Sequence, residues 1–291
     1  MNAIKKRLED TLEKIDATLD APLDIAALAT AAACSRFHFQ RQFSAFVGMG
    51  VADYQRLMRF RRAGLQLAFR HETPITEVAF NAHYENLESF SRAFKRVFGQ
   101  SPSAFRKLPD WSRWQETYQP ILDLKGEIMR NVELSAEKVR IVTFEETLVA
   151  GLEHRGPPAQ IPASVRKFIA WRKDFGTPPS KSATYNLFYD DPKTAPAEAF
   201  RFGICCKVER PVEKNTFGVE TGIIPGGRCA VFRHRGPLEN ADDAIREFYR
   251  DWLPASGETL RDFPLFVERV NFFPDVAEHE AIADIYLPLQ Q

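Results

Sequence analysis

Two pairs of internal repeats, one pair in each half of this 291-residue chain, constrain its fold more than any other feature. In the first half, residues 25–48 resemble residues 75–99: each copy has two apolar residues three positions apart, a turn, and the pattern Phe-x-Arg-x-Phe-x4-Gly. In the second half, His-Arg-Gly-Pro occurs at 154–157 and again at 234–237, each time between a strand-like run and an amphipathic stretch with a tryptophan. Two different duplications predict two folding units, each built from two related modules.

Residues 1–108 are predicted to form an all-helical domain. Apolar residues recur there at spacings of three and four, and candidate capping residues such as Asp24, Ser35 and Asn86 divide the pattern into short helices. A longer helix is predicted over residues 51–69. The phenylalanines of the two Phe-x-Arg-x-Phe helices, with Phe46 among them, form a buried stripe that leaves a polar face outward. Each of these helices follows a short helix and a tight turn, which predicts two helix-turn-helix units.

The outward faces of these two helices carry side chains that suit the edges of DNA bases. Arginine can bond guanine with two hydrogen bonds, glutamine pairs with adenine, glutamate accepts from cytosine, and an apolar ring can contact the thymine methyl group. Residues 1–108 carry 16 Lys and Arg against 11 Asp and Glu, whereas residues 109–291 carry 23 against 28. A helical bundle with an ordinary charged face is the alternative, but it does not explain a constellation that occurs twice. The candidate DNA contacts are Arg36, Phe37, Gln40, Arg41, Glu88, Ser89, Arg92 and Arg96.

The second half of the chain predicts a different class of domain. Residues 109–135 are interpreted as a linker with some helix, and in residues 136–291 strand-like runs alternate with helical stretches at 165–175 and 241–252. The His-Arg-Gly-Pro motifs are interpreted as turns, because glycine and proline punctuate secondary structure. The predicted fold class is therefore multidomain: an all-α double helix-turn-helix domain over residues 1–108, then an α+β domain made of two pseudo-symmetric modules.

Composition excludes several classes of protein. No apolar run is long enough to cross a bilayer, and the first residues lack the apolar core of a signal peptide, so we expect a cytoplasmic protein without a membrane partner. The four cysteines have no C-x-x-C spacing, which argues against a zinc site and a disulfide framework. We interpret them as core residues and expect neither a metal nor a cofactor.

One long run of sequence is recognisable. It comprises Ile-Thr-Glu-Val-Ala-Phe at 75–80, Glu-Asn-Leu-Glu-Ser-Phe-Ser-Arg-Ala-Phe-Lys at 85–95 and Phe-Gly-Gln-Ser-Pro at 98–102. With this run, residues 20–107 resemble the DNA-binding domain of AraC/XylS-type regulators. The resemblance implies that two helix-turn-helix units, bridged by the 51–69 helix, enter successive major grooves of one site. His83 stands where the family usually has glycine in the second turn. The resemblance implies base contacts from Phe37, Gln40, Arg41, Glu88, Ser89 and Arg92.

Residues 136–289 resemble the GyrI-like effector-binding domain. The resemblance rests on the repeated His-Arg-Gly-Pro, on Tyr-Asp-Asp-Pro at 189–192 and on Asp-Ile-Tyr-Leu-Pro-Leu at 284–289. Placing the DNA-binding domain first is the Rob-type order of domains. The resemblance implies a site between the two modules for a lipophilic cation, which Glu268 would face, and Asn186 is the expected symmetry mate of Glu268. The candidate wall residues are Trp171, Tyr185, Phe188, Tyr189, Phe202, Trp252 and Tyr286.

These observations predict a bacterial transcription regulator, not an enzyme, that binds double-stranded DNA and a small-molecule effector and works with RNA polymerase. Two alternatives remain open. In the first alternative, the C-terminal domain is a protein-interaction surface, which Trp111, Trp114 and the acidic balance permit. In the second it hydrolyses its ligand with Glu268 activating water, although no nucleophile and base are recognisable beside that residue.

Overall fold

The computed structural model describes residues 3–129, 139–238, 241–272, 275–276 and 280–291, which form two compact units. The N-terminal unit contains eight helices within these residues. They are α1 (Ala3–Ala17), α2 (Ile25–Ala31), α3 (Arg36–Val47), α4 (Val51–Phe69), α5 (Ile75–Asn81), α6 (Leu87–Phe98), α7 (Pro102–Lys107) and α8 (Trp111–Met129). The predicted all-helical class and the predicted 51–69 helix are confirmed.

The repeat in the first half of the sequence is a repeat of two helices. The pairs α2–α3 and α5–α6 each consist of a 7-residue helix and a 12-residue helix. Ser35 and Asn86 cap the N-termini of α3 and α6, and both helices end at a glycine in the left-handed conformation, Gly48 with φ 76° and Gly99 with φ 73°. The shared Phe-x-Arg-x-Phe-x4-Gly pattern therefore specifies both the buried face and the end of each helix.

Helix α4 joins the two helix pairs, and its arginines fasten it to both. Arg59 donates to the carbonyl oxygens of Leu19 and Ala21, at 2.8 Å each. Arg62 forms a two-bond ion pair with Asp20 and also donates to the carbonyl oxygen of Asn81, the last residue of α5. These contacts connect α4 to the loop that precedes the first helix pair and to the first helix of the second pair.

The segment interpreted as a linker begins with a helix that belongs to the N-terminal core. In α8, Trp111 and Tyr118 are buried, and the Tyr118 hydroxyl donates to the Leu57 carbonyl oxygen at 3.1 Å. Trp114 stacks on Phe98 with ring centroids 5.2 Å apart. The linker interpretation is therefore wrong for Trp111–Met129. Trp111 is buried in the N-terminal core and Trp114 packs against it, so these two side chains are not available as a surface for a protein partner.

Phe46 also differs from the prediction. Its side chain is 47% exposed, whereas Phe39 and Phe43 on the same helix are buried. It borders a shallow groove against α1, beside Arg7 and Leu8. The periodicity places Phe46 at the margin of the apolar stripe, and α1 does not cover that margin.

The C-terminal unit contains one eight-stranded antiparallel sheet. Its strands are β1 (Arg140–Phe144), β2 (Thr147–Arg155), β3 (Thr184–Phe188), β4 (Arg201–Lys207), β5 (Glu220–Ile224), β6 (Gly227–Arg235), β7 (Leu265–Asn271) and β8 (Ile282–Pro288). Their order is β1-β6-β8-β7-β3-β4-β2-β5. The predicted two-module α+β domain is confirmed, with β3 and β7 at the junction. The modules exchange their first strands, since β1 pairs with β6 and β5 pairs with β2.

The two faces of this sheet carry different side chains. The helix face packs against α9 (Ile161–Asp174) and against α10 (Asp242–Glu247), which continues through a π-helical turn (Phe248–Trp252) into α11 (Leu253–Ser256). The opposite face, here called the aromatic face, carries a separate cluster. Its core members are Phe144, Val149, Tyr185, Leu187, Cys205, Ile224, Cys229 and Phe266. Because neighbouring residues of a strand point to opposite faces, every strand residue belongs to one face or the other.

The His-Arg-Gly-Pro motifs form turns, as expected. The His154 Nε2 atom lies 3.2 Å from the carbonyl oxygens of Gly156 and Pro157, and its Nδ1 atom lies 2.8 Å from the Ser164 hydroxyl. In the second copy, His234 Nε2 lies 3.0 Å from the carbonyl oxygen of Pro237. Because a carbonyl oxygen only accepts, each histidine carries a proton on Nε2 and binds its own turn.

Gly64 is predicted to be indispensable for the docking of α8. A Cβ atom at this position would lie 2.2 Å from Cζ3 of Trp114. Gly64→Ala should therefore destabilise the N-terminal unit by about 1–3 kcal/mol, measured by urea unfolding followed by helical circular dichroism. In a Trp114→Ala background the same change should instead stabilise it by about 0.5–1 kcal/mol, because alanine favours a helix. Destabilisation of equal size in both backgrounds would contradict the contact.

Candidate functional site

The N-terminal half of α3 presents the first candidate DNA-reading surface. Arg36, Phe37, Gln40 and Arg41 are all exposed, and the Phe37 ring is 75% exposed. Phe39 faces the core from the same helix, and Phe37 and Arg41, one turn apart, lie on the side away from it. An apolar ring exposed beside arginines suits contact with a thymine methyl group.

The equivalent surface on α6 differs in one respect. Glu88, Arg92 and Arg96 are exposed, and Ser89 is half-buried. The Arg92 guanidinium lies 3.4 Å from the Glu88 carboxylate, one helical turn away, and both side chains are mostly exposed. Phe37 and Arg41 hold the matching places on α3, so the first unit has no such acid. Exposed ion pairs of this kind contribute little stability, so Arg92 can exchange its partner at small cost.

Both turns between the paired helices contain one left-handed residue that is not glycine. They are Ala33, with φ 52°, and His83, with φ 64°. His83 therefore adopts a backbone conformation that favours glycine. Burial, with the nearby Arg59 guanidinium, lowers the pKa of His83, which favours its neutral form in this turn.

The aromatic face contains the second candidate site, centred on Glu268. Glu268 pairs across the sheet with Tyr185 on β3 and with Asp284 on β8. The Tyr286 hydroxyl donates to the Glu268 carboxylate at 3.3 Å. The Tyr286 ring stacks on Phe266 with centroids 4.9 Å apart. A half-buried carboxylate thus lies at the edge of a cluster of aromatic rings.

Among the described residues, Glu268 accepts a hydrogen bond from Tyr286 but has no ion-pair partner. Arg233 is engaged by Asp284 through two hydrogen bonds of 2.7 and 2.6 Å. Within the residues that the structure describes, no Lys or Arg forms an ion pair with Glu268, although Arg233 and Lys207 are near enough to lower its pKa slightly. Burial outweighs them and raises the pKa of Glu268. Burial, followed by the nearby Glu268 charge, raises the pKa of Tyr185 to about 12 and also raises the pKa of Tyr286.

The structure divides the predicted wall residues between the two faces. Tyr185, Tyr189 and Tyr286 belong to the aromatic face with Glu268. The others belong to the helix face and cannot line the same site: they are Trp171, Phe188, Phe202 and Trp252. Phe188 and Phe202 lie on strands and point to the face that the helices cover, whereas Trp171 and Trp252 lie on the covering helical segments themselves. The prediction was therefore wrong for these four residues.

Asn186 also lies on the helix face, since it pairs with Val267 and Ile204. Its side-chain amide donates to the Gly203 carbonyl oxygen at 3.2 Å. Counted from the two His-Arg-Gly-Pro strands, the register makes Leu187 and not Asn186 the mate of Glu268. The predicted mate was therefore wrong by one residue, which is enough to change the face.

Phe144 is a member of the site that the sequence analysis missed. Its ring lies 4.9 Å from that of Phe266, 5.4 Å from that of Tyr286 and 6.1 Å from that of Tyr185, between centroids. It comes from β1, which reaches this half of the sheet only because the modules exchange first strands. The local sequence contains no signal for that exchange.

Other kinds of site find no support among the residues with an assigned structure. No group of three or more His, Cys, Asp or Glu side chains could hold a metal ion there, and no helix is long and apolar enough to span a membrane. Cys205, Cys206 and Cys229 are buried, as expected for core residues, and Cys34 is half-buried.

The raised pKa of Glu268 predicts a specific pH dependence. A carboxyl group whose pKa is higher in the folded state makes the fold less stable as pH rises from its unfolded pKa through its folded pKa. Glu268→Gln removes this dependence. The melting temperature of the variant minus that of the parent chain should increase between about pH 4 and pH 7. Glu220→Gln, an exposed change on the edge strand β5, serves as the control and should show no trend.

Comparison with known proteins agrees with this architecture. Residues 137–290 match the GyrI-like small molecule binding domain, and residues 28–108 match a helix-turn-helix domain. Probable transcriptional regulator YgiV of Escherichia coli (strain K12) is 42% identical over 152 residues, which cover 52% of this chain and 95% of YgiV. Regulatory protein SoxS of the same strain is 32% identical over 102 residues, covering 35% of this chain and 94% of SoxS.

A longer relative matches over part of its length. Right origin-binding protein of Escherichia coli (strain K12) is 29% identical over 145 residues, which cover 50% of this chain and 47% of that protein. The family matches together extend over both units of the structure, in the order helical unit first. The chain therefore belongs to the GyrI-like small-molecule-binding family, and it is a transcriptional regulator in which an AraC-type helix-turn-helix domain precedes the GyrI-like domain.

Proposed function

We propose that α3 and α6 bind one duplex DNA site and that the GyrI-like domain takes a lipophilic cation at Glu268, whose binding alters the affinity for DNA. The observation that carries the effector assignment is the half-buried Glu268 carboxylate, which lies among aromatic rings without an ion-pair partner. The DNA assignment rests on two equivalent helices that present base-reading side chains to solvent.

The geometry of the N-terminal unit supports binding to a single asymmetric site. Arg41 and Arg92 occupy matching positions on helices of the same length, but their surroundings differ. Arg41 has the exposed Phe37 ring one turn before it, whereas Arg92 has Glu88. The two units therefore suit different base sequences, and α4 holds them at a fixed orientation through Arg59 and Arg62.

The chemistry of the aromatic face favours a cationic ligand. A carboxylate that is partly removed from water and has no ion-pair partner costs free energy, and a bound cation reduces this cost. The rings of Tyr286 and Phe266 add attraction for a cation, because the faces of aromatic rings carry negative partial charge. Asp284 and Arg233 already neutralise each other, so the local net charge comes from Glu268. A neutral or anionic ligand of the same shape would gain nothing from that charge.

The DNA-reading assignment predicts two classes of arginine. Arg41→Ala and Arg92→Ala should each weaken binding to a selected duplex site by about 1–3 kcal/mol and relax the base preference in their own half of it. Arg96→Ala, at a presumed phosphate contact, should weaken binding to all sequences alike and reduce the dependence on salt. Fluorescence anisotropy on a duplex selected from a random pool, at several salt concentrations, measures both effects.

The control for these variants is Arg113→Ala. Arg113 is exposed on α8, which belongs to neither helix-turn-helix pair, and its guanidinium lies 3.6 Å from the Glu116 carboxylate. It should leave specific and random binding unchanged. If Arg41→Ala and Arg92→Ala behave like Arg113→Ala, the assigned docking faces are wrong.

The effector assignment predicts charge-selective binding. Tetraphenylphosphonium should stabilise the C-terminal unit by about 2.7 kcal/mol at a hundredfold excess over Kd. This stabilisation should raise the melting temperature of the unit. Triphenylphosphine oxide, a neutral compound with similar rings, should bind much more weakly. Glu268→Gln should reduce the affinity for the cation and leave the weak affinity for the neutral compound unchanged.

Glu220→Gln again supplies a matched control, since it removes a carboxylate from an exposed position of the same sheet. Calorimetric titration of both variants separates a local charge effect from a change in the net charge of the domain. Equal loss of the cation and the neutral compound in Glu268→Gln would assign Glu268 a packing role and reject the cation site.

A further inference from the structure

The exposed faces of α3 and α6 differ in chemistry at the position one turn before their shared arginine. Ser35 and Asn86 cap the two helices, so Phe37 on α3 matches Glu88 on α6. The Phe37 ring is 75% exposed, and the Glu88 side chain is 79% exposed. One turn further along, each helix has an exposed arginine. The two units therefore combine the same guanine-binding group with different neighbours.

The phenyl ring of Phe37 can distinguish base pairs only by their apolar surface, because it neither donates nor accepts a strong hydrogen bond. In the major groove, the C5-methyl group of thymine is the apolar group that the four base pairs offer. 5-Methylcytosine carries a methyl group on the same ring atom, although it pairs with guanine as cytosine does. A contact through Phe37 therefore depends on the methyl group and not on the hydrogen-bonding pattern of the pyrimidine.

Arg41 adds a preference for guanine close to that methyl group. Arginine contacts the edge of guanine with two hydrogen bonds, and the Arg41 side chain is exposed. Residues one helical turn apart lie about 6 Å apart along the helix axis, which is about two base-pair steps of 3.4 Å. Phe37 and Arg41 thus suit a methylated pyrimidine and a guanine that are near neighbours in the duplex.

Glu88 gives the second unit a different requirement. A carboxylate only accepts hydrogen bonds, and in the major groove the donors are the amino groups of cytosine and adenine. The Glu88 carboxylate lies 3.4 Å from the Arg92 guanidinium, so it stays beside the guanine-binding group. A C5-methyl group leaves the amino group of cytosine unchanged, and it gives the second unit no added contact.

We propose that the first helix-turn-helix unit detects the C5-methyl group of a pyrimidine within about two base pairs of a guanine, so that methylation of cytosine at this position strengthens the binding of DNA. The second unit does not respond to such a methyl group. This inference rests on the proposed function, because it requires α3 to enter the major groove. It adds a chemical modification of the DNA to the base sequence as a determinant of binding.

The test uses the full chain and duplexes that differ by single methyl groups. The half of the selected duplex that α3 contacts is the half in which Arg41→Ala relaxes the base preference. Each thymine in that half is replaced in turn by deoxyuridine, by cytosine and by 5-methylcytosine, with the matching purine opposite. In the other half, each cytosine is compared with 5-methylcytosine.

Fluorescence anisotropy gives the affinity of the parent chain, of Phe37→Ala and of Glu88→Ala for each duplex. Glu88→Ala is the matched control, since it changes the same position of the other unit. Both side chains are largely exposed, so neither variant should lose its fold.

At one or more thymines of the α3 half, the parent chain should bind the deoxyuridine duplex about fourfold more weakly than the thymine duplex, the factor expected for burial of one methyl group. At the same position, it should bind 5-methylcytosine about fourfold more tightly than cytosine. Both differences should disappear in Phe37→Ala and remain in Glu88→Ala. Methylation in the other half should not strengthen binding.

The inference is overturned if the methyl group has no effect at any pyrimidine of the α3 half, or if the selected duplex has no thymine there. It is also overturned if Phe37→Ala and Glu88→Ala change the effect equally, or if methylation in the other half strengthens binding as much. In each of these cases the proposed DNA binding stands, provided that the parent chain prefers the selected duplex over random DNA. If it shows no such preference, or if Arg41→Ala leaves the preference unchanged, the proposed docking of α3 fails and the inference fails with it.

Discussion

The antiparallel pairing of β3 with β7 joins the two modules of the C-terminal unit, and the arrangement of the aromatic face depends on its register. This pairing sets Tyr185 opposite Glu268 and Asn186 opposite Val267. A slip by one residue would turn Glu268 towards the helices and Val267 away from them. Burying an unpaired carboxylate beneath a helix and exposing a valine are both unfavourable, so the hydrophobic pattern of β7 selects one register.

In the N-terminal unit, side-chain contacts and not strand pairing join the two related halves. Two short helix pairs have little apolar surface of their own, and a long helix and a terminal helix complete their core. Phe98 illustrates this, since it stacks on Trp114 from α8 and meets Phe60 from α4 edge to face. The arginines of α4 add fixed hydrogen bonds to loop carbonyl groups, which hold the two pairs in one orientation. Such a fixed spacing agrees with the proposal that α3 and α6 bind one duplex together.

Sequence patterns predicted local features far better than they predicted which surfaces meet. The caps at Ser35 and Asn86 and the left-handed ends of α3 and α6 follow from chemistry within a few residues. The site on the aromatic face depends on pairings between distant strands, which periodicity does not encode. Trp171, for example, was predicted to line the ligand site, but it lies on α9 and packs against the helix face of the sheet. The resemblance of the sequence to a known family pointed to Glu268 and Tyr286. Phe144 could be assigned to the site only after the structure showed that β1 pairs with β6.

The exchange of first strands also determines the order in which the chain can fold during synthesis. Arg140 pairs with Val231, so β1 leaves the ribosome long before its only partner. The helical N-terminal unit is rich in short-range contacts and can fold as soon as it emerges, whereas the sheet must close a long loop first. A nascent chain therefore holds a folded helix-turn-helix unit while Ile141, Val142 and Phe144 still await β6. Each new molecule therefore completes its N-terminal fold before its C-terminal sheet can close.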